Sequence, residues 1–426
     1  MKVSELLKGR NLLLVIAAVE AVMLMIFSGI IEYPDTPSYV SAWADYISNG
    51  HLDVLRTPPY PIILGISILL FGSCYAWAVC TLQHIAFIIS VYCFYELCQA
   101  SISNKRIALS LSYIYVLVPA FTGYNNALLT ESFALSGIVF LLHAVSLLHK
   151  KINWLRFIYL LTVLSFLVLL RPAFLYLIPA LIIYYGINFF INRKGKELTF
   201  VGIFATLFVT LIMFAYMSAF KSEYGVFSAS RVSINNQLWI ARNYGLLDPQ
   251  YIDNQSLRDC VAEAYRKSGR QQLNDSIALL EYREWKSHDL VTLQNTISES
   301  MRRESIQWGC RCFGRTYRNL SNSPLIPCSN YYIGRILFAI GISLNNFILI
   351  LFVSIGMLIW NFVRRKSFCL PFVLCILFSL GNLFTVVLAA PNDWNRLLYP
   401  SLPYILLLLG SLFSQPEPKA NSLSER

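Results

Sequence analysis

Runs of about 20 apolar residues recur along this chain, and they limit its fold more than any other feature. A helix of that length crosses the hydrocarbon core of a bilayer. Hydrophobic residues make up 56% of the 426 residues and charged residues only 13%, whereas a soluble domain is about one-quarter charged. Because helices satisfy their own backbone hydrogen bonds in lipid, we predict an all-α polytopic membrane protein.

About ten membrane spans are predicted. The N-terminal apolar run lacks a small-residue cleavage site and is interpreted as an uncleaved first span. Residues 60–72 are too few to cross, so we expect them to lie at the interface or to re-enter the membrane. The stretch 155–191 is too long for one span, and Arg171-Pro172 is expected to break it into a tight hairpin. The predicted spans are 11–31, 76–97, 107–122, 131–148, 155–170, 173–191, 198–219, 340–362, 368–389 and 398–414.

The basic residues predict which side of the membrane each loop faces. With these spans, every short basic cluster falls on the same side of the membrane. Lysine and arginine are enriched in cytoplasmic loops, so we predict that this side is cytoplasmic. Membrane topology therefore accounts for the net charge of +11, and no nucleic-acid partner is expected. The clusters are Lys2/Lys8/Arg10, Lys105/Arg106, Lys150/Lys151/Arg156, Arg193/Lys194/Lys196 and Arg364/Arg365/Lys366.

One long polar segment, 220–331, interrupts the spans. It carries 14 basic and 11 acidic residues, and its stretches 256–267 and 292–306 have the periodicity of amphipathic helices. We predict a mainly helical outer subdomain, in which the state of Cys260, Cys310, Cys312 and Cys328 is left open. The chain then divides into a membrane-embedded core at 1–219 with an outer loop at 31–75 that carries interfacial helices, the extracytoplasmic subdomain at 220–331, C-terminal spans at 332–415 and a cytoplasmic tail at 416–426.

Ionisable residues are sparse in the short outer loops, and they come from separate regions of the chain. A charge at membrane depth costs roughly 2.5–3.5 kcal/mol on insertion scales and usually marks a pathway or a site. Acids and arginines on one face suggest a site that handles a proton and a phosphate. These residues are Asp35, Arg56, Glu131, Arg171, Asp393 and Arg396.

Each of these charges also has a structural explanation. Asp35 could cap the helix that follows it, and Glu131 could favour a helix N-terminus. Arg171 and Arg396 could be interface anchors. Other ionisable residues are interpreted as structural, with Asp45 and Asp53 as solvated loop charges and Glu20 and His84 as buried hydrogen-bonding groups.

Short motifs surround these charges in a fixed order. The loop after the first span holds Asp35-x3-Tyr39 and then Arg-x-Pro-x-Tyr-Pro from Arg56 to Pro61. Thr130-Glu131 opens a later span, Leu170-Arg171-Pro172 closes another, and Asn395-Arg396-Leu397-Leu398-Tyr399-Pro400 opens the last. Over 1–190 and 391–414, this order resembles the glycosyltransferase C superfamily. The resemblance is to its polyprenyl-phosphate-sugar-dependent enzymes, akin to protein mannosyltransferases and aminoarabinose transferases. Protein mannosyltransferases carry an Asp-Glu pair where this chain has Asp35-Thr36.

The resemblance implies transfer of a sugar from a polyprenyl-phosphate donor to an envelope lipid, glycan or protein. The reaction would take place on the outer face of the cytoplasmic membrane, with inversion. Asp35 would be the general base, Glu131 a second catalytic residue, and Arg171 and Arg396 the groups that bind the donor phosphate. No metal ligands are predicted, although some relatives use a divalent cation, which stays an open alternative. Substrate contacts are predicted for Tyr39, Arg56, Tyr60, Asp393 and Tyr399.

Two other functions are compatible with such a chain. A polysaccharide polymerase or ligase would use a diphosphate-linked glycan, and it too would have a large outer loop and outer arginines. A lipid or solute transporter would be expected to place charges in the middle of the membrane and to contain broken repeats. Here the charges collect at one face instead, which favours the transferase.

Overall fold

The computed structural model describes residues 3–118, 121–191, 196–243, 245–268, 289–304, 370–389 and 397–413, with 306, 355, 356 and 359. These residues are mostly α-helical and contain no strand, which confirms the predicted all-α fold. The α-helices are α1 (Val3–Phe27), α2 (Thr36–Asn49), α3 (Pro59–Phe71), α4 (Tyr75–Ser101), α5 (Lys105–Leu117), α6 (Glu131–Lys150), α7 (Trp154–Leu170), α8 (Leu177–Ile191), α9 (Lys196–Tyr224), α10 (Arg231–Asn243), α11 (Gln255–Ser268), α12 (Leu290–Arg303), α13 (Leu370–Ala389) and α14 (Leu402–Phe413).

Six helical stretches in the described residues are long and apolar enough to cross a membrane. Helix α7 and the stretch Tyr399–Gly410 are apolar but shorter. The protein is therefore a multi-pass membrane protein, and the predicted span at 340–362 lies outside the described residues except at 355, 356 and 359. The six stretches are Gly9–Phe27, Pro59–Ser101, Glu131–Lys150, Pro172–Ile191, Lys196–Tyr224 and Pro371–Leu388.

The predicted break at Arg171-Pro172 is confirmed. Helix α7 ends at Leu170, and Arg171 has an extended backbone. A short 3-10 turn, Pro172–Tyr176, then leads into α8. Proline has no N–H for a helix interior and disfavours the helical conformation of the residue before it, which accounts for the break. Arg171 is thus placed between the end of α7 and the turn that leads into α8.

The span predicted at 107–122 is wrong in extent. Helix α5 has 13 residues and ends at Leu117, and Val118 is already extended because Pro119 follows it. The chain then runs without a helix through 121–130, called here the α5–α6 segment. This segment lies beside the end of α1, since the N–H of Ile31 donates to the carbonyl of Asn126 at 2.9 Å.

Side chains from distant helices satisfy the backbone of the α5–α6 segment. The Nε2 atom of Gln83 donates to the carbonyls of Asn125 and Ala127, at 2.8 and 2.9 Å. The hydroxyl of Tyr399 donates to the carbonyl of Phe121 at 2.7 Å. Irregular backbone at membrane depth is tolerated only where the protein itself supplies such partners. These hydrogen bonds therefore hold the α5–α6 segment within the protein core.

Helices α2 and α3 form a short pair between α1 and α4. Their close approach depends on Gly65, because a Cβ atom there would lie 1.8 Å from the ring of Trp43. At about 1.5 Å per residue, α3 is too short to cross a bilayer, and a 3-10 turn at Gly72 separates it from α4. Its exposed face is apolar, with Ile62, Ile66, Leu69, Leu70 and Phe71. A location at the membrane interface stays a prediction.

Helices α10 to α12 belong to the long polar segment. The two amphipathic stretches predicted there are observed as α11 and α12. Their apolar faces are buried at Leu257 and Val261 in α11 and at Leu293 in α12. The hydroxyl of Ser300 also donates to the carbonyl of Leu246 at 2.7 Å. That this unit lies outside the cell is a proposal that rests on the threading.

The ends of the bundle differ in charge. Helix α6 begins at Glu131 and ends at Lys150, and α7 returns to Arg171. Glu131 and Arg171 therefore lie at one end, and Lys150 and Arg156 lie at the other. The guanidinium of Arg10 lies 5.8 Å from the ring of Tyr92, in the second half of α4, so it belongs to the basic end too. The two sets of residues lie at opposite ends, as the threading predicts, and which end faces the cytoplasm stays a prediction.

Cysteine labelling tests that sidedness. Ser222, near the end of α9, lies at the acid–arginine end, and Ser103, between α4 and α5, lies at the basic end; both are exposed. In a variant without the ten native cysteines, we expect Ser222→Cys to react with a membrane-impermeant maleimide in intact cells. Ser103→Cys should react only after permeabilisation. Labelling of both sites in intact cells would contradict the topology.

The α2–α3 contact can be tested with a matched pair of glycines. Gly65→Ala would force the Trp43 ring to move, and overpacking of this kind costs about 1–3 kcal/mol. Gly186→Ala, in α8, meets nothing within 4 Å and gains helix propensity. We expect thermal unfolding in detergent to shift down for Gly65→Ala and not for Gly186→Ala. Equal transition temperatures would mean that α2 does not depend on this contact.

Candidate active site

The first acid of the site is Asp35, directly before α2. It occupies the N-cap position, yet its side chain makes no capping hydrogen bond. Its Oδ1 atom instead accepts from Nη2 of Arg56 at 2.9 Å, and about a third of the side chain (32%) is exposed. The capping explanation therefore does not describe this carboxylate, which faces an arginine and the solvent.

Arg56 uses three of its nitrogen atoms on neighbouring protein groups. Besides the bond to Asp35, Nε donates to Oγ of Ser38 at 2.8 Å and Nη1 donates to the hydroxyl of Tyr39 at 3.2 Å. Its guanidinium also lies 4.3 Å from the centroid of the Tyr39 ring, within cation–π distance. A planar group held at so many points fixes the direction of the Asp35 carboxylate.

A second ion pair joins Glu131, the first residue of α6, to Arg171. Nη1 of Arg171 lies 3.4 Å from Oε1 of Glu131, and the exposed fractions of the two side chains are 12% and 1%. That nitrogen is buried but makes no hydrogen bond to any residue in the described part of the chain. The Glu131 carboxylate lies within ion-pair distance but not in hydrogen-bond geometry, so this nitrogen of Arg171 retains capacity for an anion.

Two buried threonines bring the ion pairs together. The hydroxyl of Thr36, next to Asp35, donates to the carbonyl of Leu128 in the α5–α6 segment at 3.1 Å. The hydroxyl of Thr57, next to Arg56, donates to the carbonyl of Leu170 at 3.3 Å. Leu170 directly precedes Arg171. Neither threonine was a predicted site residue, although both stand beside a predicted charge.

Tyr39 lies at the centre of this arrangement. Its ring meets that of Tyr60 edge-on, with 4.8 Å between centroids, and the Tyr60 hydroxyl donates to Oε1 of Gln83 at 3.4 Å. Burial raises the pKa of Tyr39, and four nearby charges act on the same phenol. Those charges belong to Arg56, Glu131, Asp35 and Arg171. The predicted acids and arginines in the described residues therefore share one site.

Asp53 is not the solvated loop charge that we predicted. Its side chain is buried, and Oδ1 accepts from the backbone N–H groups of Leu55 and Arg56, at 2.9 and 2.5 Å. Burial raises the pKa of this carboxyl, while the two N–H groups oppose the shift. The prediction was wrong because a loop acid can turn inward to bond its own backbone.

The other predicted residues have varied surroundings. Tyr399 is fully buried, with its ring 4.7 Å from that of Tyr124, and its substrate role stays a prediction. Glu20 accepts from Thr122, and His84 pairs with Asn126, as expected of buried hydrogen-bonding groups. The predicted residues outside the described part of the chain are Asp393 and Arg396.

The described residues offer no specific support for a divalent cation, which stays an open alternative. They contain no group of three or more His, Cys, Asp or Glu side chains that could share a metal ion. The two acids of the site, Asp35 and Glu131, each face an arginine instead. No chemical step is therefore assigned to a metal.

Comparisons with known proteins give one informative match. No protein-family model matches the sequence, and no curated protein matches it. A solved structure does match, that of the archaeal oligosaccharyltransferase AglB from Archaeoglobus fulgidus in complex with an inhibitory peptide and a dolichol-phosphate. The TM-score is 0.51 at 13% identity, over 94% of this chain and 50% of that one.

This chain thus spans about half the length of the archaeal protein. At such low identity, the likeness shows the fold alone. It shows a membrane fold like that of the oligosaccharyltransferase, which agrees with the coarser part of the family prediction. The narrower resemblance, to protein mannosyltransferases and aminoarabinose transferases, stays a prediction.

Proposed function

We propose that this protein is an integral membrane glycosyltransferase that moves a sugar from a polyprenyl-phosphate donor to an envelope acceptor. The two ion pairs around Tyr39 carry the proposal, because they combine a partly exposed acid with a buried arginine. The dolichol-phosphate named in the AglB structure supports a lipid phosphate as ligand of this fold in general. The acceptor is a lipid, a glycan or a protein on the outer face of the cytoplasmic membrane.

The reaction is a single displacement at the anomeric carbon. The acceptor hydroxyl attacks this carbon, its proton passes to the Asp35 carboxylate, and the bond to the phosphate oxygen breaks with its electron pair. Polyprenyl phosphate leaves, and the anomeric configuration inverts. A positioned base contributes about 100- to 10,000-fold to such a step. The pair with Arg56 holds the Asp35 carboxylate in position for this proton transfer.

Arg171 suits the donor phosphate. Its buried Nη1 lacks a hydrogen bond to the described residues, and guanidinium matches phosphate oxygens in a bidentate manner. The leaving phosphate, with a second pKa of about 6, needs stabilisation of charge more than a proton. Glu131 is too deeply buried to reach bulk water and keeps Arg171 in place. In the proposed site, Arg396 would be a second phosphate ligand.

The charge balance favours a monophosphate over a diphosphate donor. In the described part of the site, two arginines face two carboxylates, so the four formal charges cancel. A sugar phosphodiester carries a single negative charge, whereas a diphosphate diester carries two and usually needs more compensation. The proposed donor is therefore the one with less charge to neutralise.

The bound lipid tests both the function and the phosphate role of Arg171. We expect mass spectrometry of the purified protein to find a sugar linked to polyprenyl monophosphate. Arg171→Lys keeps the charge but loses the planar fork, so lipid occupancy should fall on the order of tenfold, or about 1.4 kcal/mol. Arg156→Lys, at the other end of the helix that precedes Arg171, should retain the lipid.

A diphosphate-linked glycan in this experiment would favour a polymerase or ligase. Absence of any polyprenyl lipid, together with a transported solute, would favour a transporter. Equal lipid occupancy in the two arginine variants would contradict the phosphate role of Arg171.

Asp35→Asn tests the general base. Asparagine keeps an oxygen that can accept from Arg56, but it cannot take the acceptor proton. We expect a protein that inserts and binds the donor but transfers sugar at least about 100-fold more slowly. Asp45→Asn, on α2, is the matched control and should transfer at the wild-type rate. Near wild-type transfer by Asp35→Asn would place the base elsewhere.

A further inference from the structure

Asp53 holds the backbone of Arg56 from one side. It lies in the α2–α3 loop, residues 50–58, which connects the helix next to Asp35 with the helix that carries Tyr60. A single carboxylate oxygen accepts both the Leu55 and the Arg56 N–H groups. Hydrogen bonds to a charged acceptor are about twice as strong as neutral ones. The N–H of Arg56 is therefore firmly placed.

The carbonyl of the same residue, Arg56, is held as well. The hydroxyl of Tyr46, on α2, donates to the carbonyl of Arg56 at 2.7 Å. With its N–H and its carbonyl both bound, the backbone of Arg56 has little freedom to rotate. Its side chain leaves this anchored point toward Asp35, Ser38 and Tyr39. A small rotation of the backbone would displace the guanidinium from all three.

Contacts from α9 and α10 keep the α2–α3 loop against the bundle. The N–H of Arg231 donates to the carbonyl of Val54 at 2.8 Å, and the N–H of Leu52 donates to Oε2 of Glu223 at 3.1 Å. Residues on both flanks of Asp53 are therefore fixed from outside. The Asp53 carboxylate bonds the loop backbone from the buried side, since only 8% of the residue is exposed.

We infer that Asp53 is a positioning residue of this site, which acts through Arg56 to aim the guanidinium at Asp35. The inference rests on the proposed function, because it assigns to Asp53 the orientation of the proposed general base. Asp53 itself would touch neither donor nor acceptor, since it faces the backbone of its own loop. Its effect on turnover should therefore vanish when Arg56 is absent.

A double-mutant cycle tests this coupling. Asp53→Ala removes the acceptor, and we expect the kcat for sugar transfer to fall on the order of tenfold, a size typical of directly coupled residues. Asp53→Asn keeps an acceptor oxygen and should restore most of the rate. In an Arg56→Ala background, Asp53→Ala should cost less than about twofold more. The control is Asp45→Ala, which should match wild type in both backgrounds.

Hydrogen exchange gives a second measurement that needs no substrate. In Asp53→Ala, the amides of residues 54–57 should exchange at least about tenfold faster than in wild type, while the amides of α4 stay protected. Independent, multiplicative losses of kcat for Asp53→Ala and Arg56→Ala would overturn the inference. Unchanged exchange at 54–57 would overturn it too.

Failure of the proposed function would look different. The wild-type protein would then transfer no sugar from polyprenyl monophosphate, whatever the exchange data show. Faster exchange at 54–57 in Asp53→Ala would still support the placement of Arg56 by Asp53.

Discussion

The structure depends on the pairing of charges where water is scarce. An isolated guanidinium or carboxylate at such depth would cost several kcal/mol, whereas a paired ion recovers much of that energy. Arg56 meets Asp35, and Arg171 meets Glu131, so each charge has its partner on another element. The helix break after α7 and the irregular α5–α6 segment make this pairing possible, because they bring residues from four chain regions to one place.

The two ion pairs differ in burial, and this difference separates their chemical roles. Asp35 is partly exposed, while its partner Arg56 is occupied by three protein groups. Glu131 is fully buried, and its partner Arg171 keeps a nitrogen without a hydrogen bond among the described residues. In the proposed mechanism, one pair therefore presents an acid to the substrate, and the other presents a cation. Residue type alone would have made them equivalent.

Local chemistry made part of this site predictable. Proline dictates the break beside Arg171, and the rarity of charges in an apolar chain singles out Asp35, Glu131 and the arginines. The length of α5 could also have been read from Pro119. The inward turn of Asp53 could not, because tertiary neighbours decide whether a short polar side chain faces water or a backbone N–H. The role of Thr36 could not be predicted either. In the family resemblance this residue only stands where protein mannosyltransferases have a glutamate, yet its hydroxyl donates to the carbonyl of Leu128, 92 residues away.

The bond from Tyr399 to Phe121 joins residues 278 apart and helps to complete the core beneath the site. At about 5–20 residues per second, a ribosome needs roughly 15–55 s to make the intervening chain. For that time, the carbonyl of Phe121 must do without its final partner while the early helices already occupy the bilayer. Completion of this part of the core is therefore a late event of biogenesis, and a nascent chain stalled before Tyr399 lacks this hydrogen bond.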